Sequence, residues 1–370
     1  MASAPLSESA TKVASIFGFL ADRDFHGYSP LYEHLARQIA HDDVIPEIVA
    51  RGCQRNHAPV LFFACVHDIV LHEPELDVAR FYADAVAGAD PTHTQVWKSF
   101  RQLVVDRADE IETMLSTRTV QTNEVGRSAA IRPALAALAR LDPRPIGLIE
   151  LGTSAGLNLL FDRYCIDYVP IGAVGPEDSP VQLHCELRGT RRPPDTDASP
   201  LIVSRLGVDR SPVDVRDDDA IRWLRACIWP DASRRAERFD AAVALAREDP
   251  PELWAGDLLD VLEEAVDLVP DDAIACLLST WVLAYVRLEQ RKQLAERVEA
   301  IGARRPLAYV TAEYEIMAPW LGRAERGPSH DSGELPTRLG LALWDGDRVE
   351  TRTLAWMHAH ATWIEWLDES

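Results

Sequence analysis

The spacing of apolar residues changes near residue 145 of the chain. Before about residue 141, apolar residues recur at helical intervals, and no β-rich run interrupts them. Leu31, Leu35 and Ile39, for example, form one stripe of a helix that begins at Ser29 and Pro30. Similar patterns predict helices over residues 44–51, 59–71, 78–87, 94–115 and 122–140. We therefore predict a helical N-terminal cap domain over residues 1–141.

After Pro145 short apolar runs alternate with helical patterns. The predicted strands are 146–151, 201–208, 253–256, 273–278 and 307–311, and helices are predicted over 217–229, 233–247, 258–268 and 288–301. Such alternation indicates a parallel sheet with helices on both faces. Two last runs, 339–344 and 349–356, flank an Asp-Gly turn and predict an antiparallel hairpin. We predict an α/β fold, a Rossmann-like doubly wound sheet over residues 142–370, with an insertion at about 161–200.

A glycine-rich turn follows the first predicted strand. Gly152 permits a tight turn with positive φ, and the small side chains of Thr153 and Ser154 let a ligand approach the backbone. Gly156 lets the predicted next helix pack closely, and the free N–H groups at that helix start can hold a carboxylate. Because Ser154 replaces the middle glycine of G-x-G-x-x-G, a tight turn that binds no ligand is an equal alternative. The whole motif is Glu150-Leu151-Gly152-Thr153-Ser154-Ala155-Gly156-Leu157-Asn158.

Two further acids follow predicted strands. Asp209 ends the second strand, where a carboxylate can accept hydrogen bonds from both ribose hydroxyls. It lies farther from the turn than the usual roughly 20 residues, which the insertion explains, and Asp167 is the rival candidate. Asp257, followed by Leu258, ends the third strand, where it can accept from an adenine amine. The alternative for Asp257 is an ordinary helix N-cap.

From Glu150 to about Trp363 these motifs resemble the class I S-adenosylmethionine-dependent methyltransferases. The resemblance implies S-adenosylmethionine as cofactor, with residues 150–156 and Asn158 around its methionine end, Asp209 at the ribose, and Asp257 and Leu258 at the adenine. Over nearly its whole length the chain is also similar to a bacterial family catalogued as a domain of unknown function. The phrases that carry this similarity are residues 121–127, 154–159, 162–164 and 229–230.

Methyl transfer needs in-line positioning and, for some acceptors, a base. Glu124 and Glu313 are the candidate bases, although a capping residue and a surface acid are their alternatives. The resemblance places Ser279 in the loop that often holds catalytic groups. Asn123, Arg127 and Trp281 are the candidate substrate-binding residues. For Arg127, pairing with Glu124 and clamping an anionic substrate are both open.

Composition and charge limit the classes of substrate and partner that we expect. A net charge of −21 repels phosphate backbones, which excludes nucleic acid as the expected substrate and leaves small molecules and proteins. No apolar run reaches the ~20 residues of a membrane span. Scattered cysteines and the lack of a secretory signal favour the cytoplasm. His358 and His360 lack an evident third ligand, so no metal is expected, and the pattern leaves the oligomeric state open.

Two other functions remain open. The turn also matches G-x-S-x-G, so Ser154 could be the nucleophile of an α/β-hydrolase, although Glu150 ends the strand where hydrolases prefer apolar residues. Such an enzyme would use Asp257 or Asp331 and His358 or His360. Alternatively, the chain is a non-catalytic cofactor-binding module, since no diagnostic catalytic signature follows the fourth strand.

Overall fold

The computed structural model describes residues 5–53, 58–82, 90, 93–194, 200–324, 327 and 336–368. By its contacts the chain divides into two compact units. The first comprises Met1–Thr122 and Arg216–Glu237, and the second comprises Asn123–Val215 and Arg238–Ser370. The domain division expected from the pattern, with its boundary at residue 141, stays a prediction. The end of the helix predicted over 78–87 and Asp331 lie outside the described residues.

The helices agree with the apolar periodicity in most places. In chain order they are α1 (Glu8–Asp22), α2 (Pro30–Ile39), α3 (Ile45–Gly52), α4 (Ala58–His72), α5 (Thr94–Asp106), α6 (Ala108–Thr117), α7 (Ser128–Leu141), α8 (Asp218–Ala226), α9 (Ser233–Glu248), α10 (Leu258–Asp267) and α11 (Leu288–Gly302). The helix predicted over 94–115 is interrupted at Arg107, whose backbone is not helical (φ −110°, ψ 23°). Among these described helices none has the length and apolar composition that crossing a bilayer requires.

The first unit has an aromatic core of its own. Phe17, Phe62 and Phe63 pack edge to face or tilted, and Tyr32 stacks on Phe63 with ring centroids 4.2 Å apart. Trp223 and Cys227, within the segment 216–237, are buried in the same cluster. Residues distant in the chain therefore complete this core.

The second unit is built on one sheet. Its strands are β1 (Ile146–Leu151), β2 (Cys165–Val169), β3 (Gly172–Val174), β4 (Gln182–Arg188), β5 (Ile202–Asp209), β6 (Glu252–Ala255), β7 (Ile274–Thr280), β8 (Leu307–Glu313), β9 (Thr337–Asp345), β10 (Arg348–Met357) and β11 (Trp363–Trp366). Their order is β3-β2-β4-β11-β10-β9-β8-β7-β1-β5-β6. The five strands from β8 to β6 are parallel, and β9 and β10 form the predicted antiparallel hairpin. The expectation of a mixed α/β fold with a large, mostly parallel sheet is confirmed.

The prediction of a helix directly after the glycine turn was wrong, and the insertion that follows is part of the sheet. β2, β3 and β4 extend the same sheet through β11. No α-helix follows the glycine turn: residues 157–163 form 3₁₀ turns with a kink at Leu160 before β2 begins. After β5, Ser211 and Pro212 are not helical, and α8 begins only after Asp217, whose side chain caps it.

Side chains of β1 alternate between two buried faces. Ile149 and Leu151 pack into the apolar cluster that includes residues of α10 and α11. The side chain of Glu150, one residue away, therefore points to the opposite face. There it contacts Asn158, which is bonded in turn to Ser128 at the start of α7. The apolar run thus carries one buried carboxyl to the glycine turn.

Candidate functional site

The candidate site lies at the carboxyl edge of the parallel strands. β1 pairs with β5 on one side and β7 on the other, so chain connections leave it in both directions. Open α/β sheets bind ligands in the crevice at such a switch point. β10 runs in the same direction as β8, because both are antiparallel to β9. The ends of β1, β5, β7, β8 and β10 therefore share one rim.

The glycine turn is as tight as its sequence predicts. Gly152 has φ +73°, and its N–H and that of Thr153 donate to Val208 O at 2.8 and 3.2 Å. A Cβ on Gly152 would lie 2.3 Å from Val282 Cγ2, so only glycine fits. A Cβ on Gly156 would lie 2.6 Å from Pro251 Cγ. Gly156 therefore makes room for the segment before β6, not for a helix following the turn.

The buried side chain of Glu150 stabilises this turn. Its side chain accepts hydrogen bonds from Thr153 Oγ1 at 2.6 Å and Asn158 Nδ2 at 3.3 Å. Burial raises the pKa of Glu150 to about 7, and these two hydrogen bonds limit the rise. Glu150, Thr153 and Asn158 thus form one buried group that shapes the backbone on which a ligand would lie.

Asp209 lies directly at the turn. Its Oδ2 accepts from Ser154 N and its Oδ1 from Ser211 N, each at 2.9 Å. Its rival Asp167 lies on β2 near the far edge of the sheet, where it pairs with His184. The structure thus brings Asp209, not Asp167, to the glycine turn.

Asp257 acts as a helix cap. Its Oδ1 accepts from Leu259 N at 3.0 Å at the start of α10, and its Oδ2 accepts from Arg210 at 2.7 Å. Leu258 is packed into the apolar cluster of this face. The capping alternative accounts for the present contacts of Asp257, and adenine recognition by Asp257 and Leu258 stays a prediction.

The loop after β7 is held by β8 and β9. Trp281 has φ +60°, donates through its N–H to Ala312 O, and donates through Nε1 to Thr337 Oγ1 at 2.9 Å. Glu313 Oε1 accepts from the N–H groups of Val282 and Leu283 at 2.9 and 3.1 Å. Burial raises the pKa of Glu313 to about 7, against these backbone hydrogen bonds. Ser279, fully buried, precedes this loop at the end of β7.

The segment 123–127 ties three parts of the rim together. Asn123 Oδ1 accepts from Leu157 N of the glycine turn at 3.0 Å. Arg127 donates through Nη1 to Thr280 O at 3.0 Å and through Nε to Ala359 O at 3.1 Å. The candidate residues Asn123, Glu124 and Arg127 therefore lie beside the turn and the loop after β7.

Arg238 was not predicted at this site, and His358 and His360 were considered only as metal ligands or as the histidine of a hydrolase. His360 Nδ1 lies 3.2 Å from Glu124 Oε2, and Arg238 Nη2 lies 3.8 Å from Glu124 Oε1. The two histidine rings are 5.3 Å apart. Their i, i+2 spacing was the only local signal. Across the part of the chain that is described, no three His, Cys, Asp or Glu side chains are grouped to hold a metal.

Backbone strain is concentrated on this rim. Ser154, Trp281 and Ala361 are the non-glycine residues with positive φ in the described ranges. They lie after β1, after β7 and between β10 and β11. Such conformations cost about 1–3 kcal/mol each and cluster at functional sites. Three separate loops at this edge of the sheet therefore each contain one strained residue.

Comparison with known protein families shows a match over nearly the whole chain, as the sequence motifs indicated. A family model described as "Uncharacterized protein conserved in bacteria (DUF2332)" matches residues 14–366. The whole rim lies within that match. No curated protein matches the chain.

Proposed function

We propose that this chain, which belongs to that bacterial family, binds S-adenosylmethionine at the rim and transfers its methyl group to a small molecule or a protein side chain. The order β6-β5-β1-β7-β8 corresponds to strands 3-2-1-4-5 of Rossmann-like doubly wound sheets. In that arrangement a nucleoside lies across the end of the first strand, where Gly152 and Asp209 meet. The class I methyltransferase type of this fold is part of the proposal.

One observation carries the proposal most directly. Ser154 is 2% exposed, and its Oγ has no hydrogen-bond partner among the described residues. A buried hydroxyl left unsatisfied costs about 1–3 kcal/mol. Its backbone N–H is held by Asp209, so the hydroxyl and this carboxylate lie at one bend. A ligand with ribose hydroxyls would satisfy both groups, which is the donor and acceptor pattern that an adenosyl group offers.

The roles of the chain's own residues follow from their contacts. When bound, the cofactor supplies an electrophilic methyl group on a sulfonium. Gly152 lets the bend pack against Val282, and Glu150 with Asn158 keeps that bend rigid. Glu313 fixes the loop of Trp281 that follows Ser279, and Asn123 with Arg127 binds the neighbouring segments. These groups bind and orient the two reactants, which is most of what methyl transfer requires.

Calorimetry tests the proposal. S-adenosylmethionine and S-adenosylhomocysteine should bind the wild-type chain, and Asp209→Ala should weaken both by about ten- to a hundredfold, the value of hydrogen bonds to a charged group. Asp209→Asn, which keeps an acceptor oxygen for Ser154 N, separates ligand contacts from turn stability. Asp167→Ala on β2 is the matched control and should bind like wild type.

The outcomes are distinct. Absence of binding by the wild-type chain would reject the proposal. Equal affinities for wild type and Asp209→Ala would move ribose recognition away from this carboxylate. Binding without methyl transfer to any acceptor would favour the non-catalytic module.

The hydrolase alternative has one observation in its favour. Ser154 has φ +57° within Gly-x-Ser-x-Gly, as the strained turn of a nucleophile elbow requires. However, no described histidine is hydrogen-bonded to its Oγ, and Asp257 is bonded to Leu259 N and Arg210. We expect a fluorophosphonate probe to leave the chain unlabelled. Labelling that disappears in Ser154→Ala, read by mass spectrometry, would instead support a hydrolase.

A further inference from the structure

The turn between β10 and β11 brings a histidine to a buried carboxylate. His360 Nδ1 lies 3.2 Å from Glu124 Oε2, and the side chains are 25% and 4% exposed. The other oxygen, Oε1, accepts from Gly126 N at 3.0 Å and lies 3.8 Å from Arg238 Nη2. Both oxygens of Glu124 therefore lie beside groups of the protein, whereas the His360 side chain is partly exposed.

The position of His360 is fixed by its own turn. Its N–H donates to His358 Nδ1 at 3.1 Å, and Ala361 N donates to His358 O at 2.8 Å. Ala361 has φ +52°, a strained conformation that the turn maintains. Arg127 holds Ala359 O from the other side. These bonds fix the main chain that carries the imidazole, and Glu124 lies beside its Nδ1.

The same turn is connected to the proposed cofactor site. Arg127 bonds both Ala359 O and Thr280 O, the latter at the end of β7. Asn123, one residue before Glu124, accepts from Leu157 N of the glycine turn. One short segment therefore places His360 beside the rim at which the methyl group would be presented.

We infer that His360, positioned by Glu124, accepts the proton of a methyl acceptor whose reacting atom is an O–H or N–H group. This inference rests on the proposed function. Glu313, the other candidate base, is 1% exposed and has Oε1 bonded to two backbone N–H groups. A carboxylate 3.2 Å from Nδ1 favours the tautomer with the proton on Nδ1 and Nε2 as the basic nitrogen, which is the arrangement that catalytic histidines use. Glu124 is then a positioning residue and not the base.

Methyl transfer to such an acceptor needs only the acceptor, the cofactor and His360. The acceptor oxygen or nitrogen forms a bond with the methyl carbon, and the carbon–sulfur bond breaks with its electron pair remaining on sulfur. The proton of the acceptor moves to His360 Nε2 and then leaves to solvent. The products are the methylated acceptor and S-adenosylhomocysteine, and no further reactant is required.

Nitrogen NMR of the imidazoles tests the role of Glu124 without any acceptor. In the neutral ring of the wild-type chain, His360 should carry its proton on Nδ1 with Nε2 unprotonated. Glu124→Gln, which keeps the size of the side chain, should allow both tautomers. A wild-type ring protonated on Nε2 would overturn the inference. His358→Gln, in the same turn, shows whether a change reflects Glu124 or general disturbance of the turn.

Chemical modification tests the placement of His360 by the ligand. Diethyl pyrocarbonate acylates unprotonated imidazole nitrogen, and S-adenosylhomocysteine should reduce modification of His360 in proportion to the occupied fraction. His184 is the matched control, since its Nδ1 also lies 3.2 Å from a carboxylate, that of Asp167, and its side chain is 64% exposed. Its reactivity should not change.

Calorimetry on the same samples separates the two ideas. Ligand binding with unchanged His360 reactivity would overturn this inference and leave the proposed function standing. Failure of S-adenosylhomocysteine to bind would overturn both.

Discussion

The free energy of unfolding should decrease as the pH rises from about 4.5 to about 7, by roughly 3 kcal/mol for each of two buried carboxyl groups. Burial raises the pKa of Glu150 and of Glu313 to about 7, from an ordinary value of 4.5. Between these values the folded chain retains protons that the unfolded chain has lost, so deprotonation favours unfolding. The stabilisation is complete below the unfolded pKa and is lost as the pH rises through the folded pKa.

Urea unfolding at a series of pH values measures this effect. Glu150→Gln and Glu313→Gln should each flatten the slope, and Glu296→Gln, exposed on α11, should leave it unchanged. Glu33 does not interfere, because hydrogen bonds from His26 and Arg37 lower its pKa to about 2, and its contribution is lost only at more acidic pH. A slope that persists in the double variant of Glu150 and Glu313 would contradict the assignment.

Gly152→Ala should destabilise the chain by about 3 kcal/mol. A left-handed conformation costs a residue with a Cβ about 1–2 kcal/mol, and overpacking adds about 1–3 kcal/mol. Both terms apply here, because φ is +73° and the new Cβ would lie 2.3 Å from Val282 Cγ2. The displaced Val282 would also disturb the loop after β7, so ligand binding should weaken with stability. Chemical denaturation and calorimetry on the same variant measure the two losses.

Gly346→Ala is the matched control for this substitution. Gly346, in the turn between β9 and β10, has φ +62° and no atom within 4 Å of an added Cβ. It should show only the conformational cost. Adding Val282→Ala to Gly152→Ala should recover part of the overpacking cost, which a double-mutant cycle isolates. The explanation fails if Gly152→Ala costs no more than Gly346→Ala.

The local pattern of apolar residues was sufficient to predict the central strands of the sheet. Strands buried on both faces read as short apolar runs, so β1 was predicted with its observed bounds and β7 and β8 to within two residues. The strand order beyond β9 was not predictable. β2 and β4 join the sheet through β11, and pairing between distant segments leaves no mark in the local spacing. The apolar run from Leu157 also read as a helix, although Tyr164 OH bonds Leu157 O and the chain turns into β2.

Some features of the candidate site could be predicted from the sequence and others could not. Acids at strand ends could be predicted to share an edge, and Asp209 does lie at the glycine turn. The partners of these acids could not be predicted, because they come from elsewhere in the chain. Arg210 bonds Asp257, and His360 reaches Glu124 from near the C-terminus. Such contacts depend on tertiary packing and not on motif spacing.

The discontinuous first unit has a consequence for protein synthesis. A nascent chain that has emerged as far as Thr122 has all the residues of α1 to α6 but lacks Trp223 and Cys227, which are buried in the same core. β1 and β5 are translated before those two residues appear. The amino-terminal unit therefore cannot complete its core on the ribosome until residues 216–237 have been translated, and a gene fragment ending at residue 122 would encode an open core.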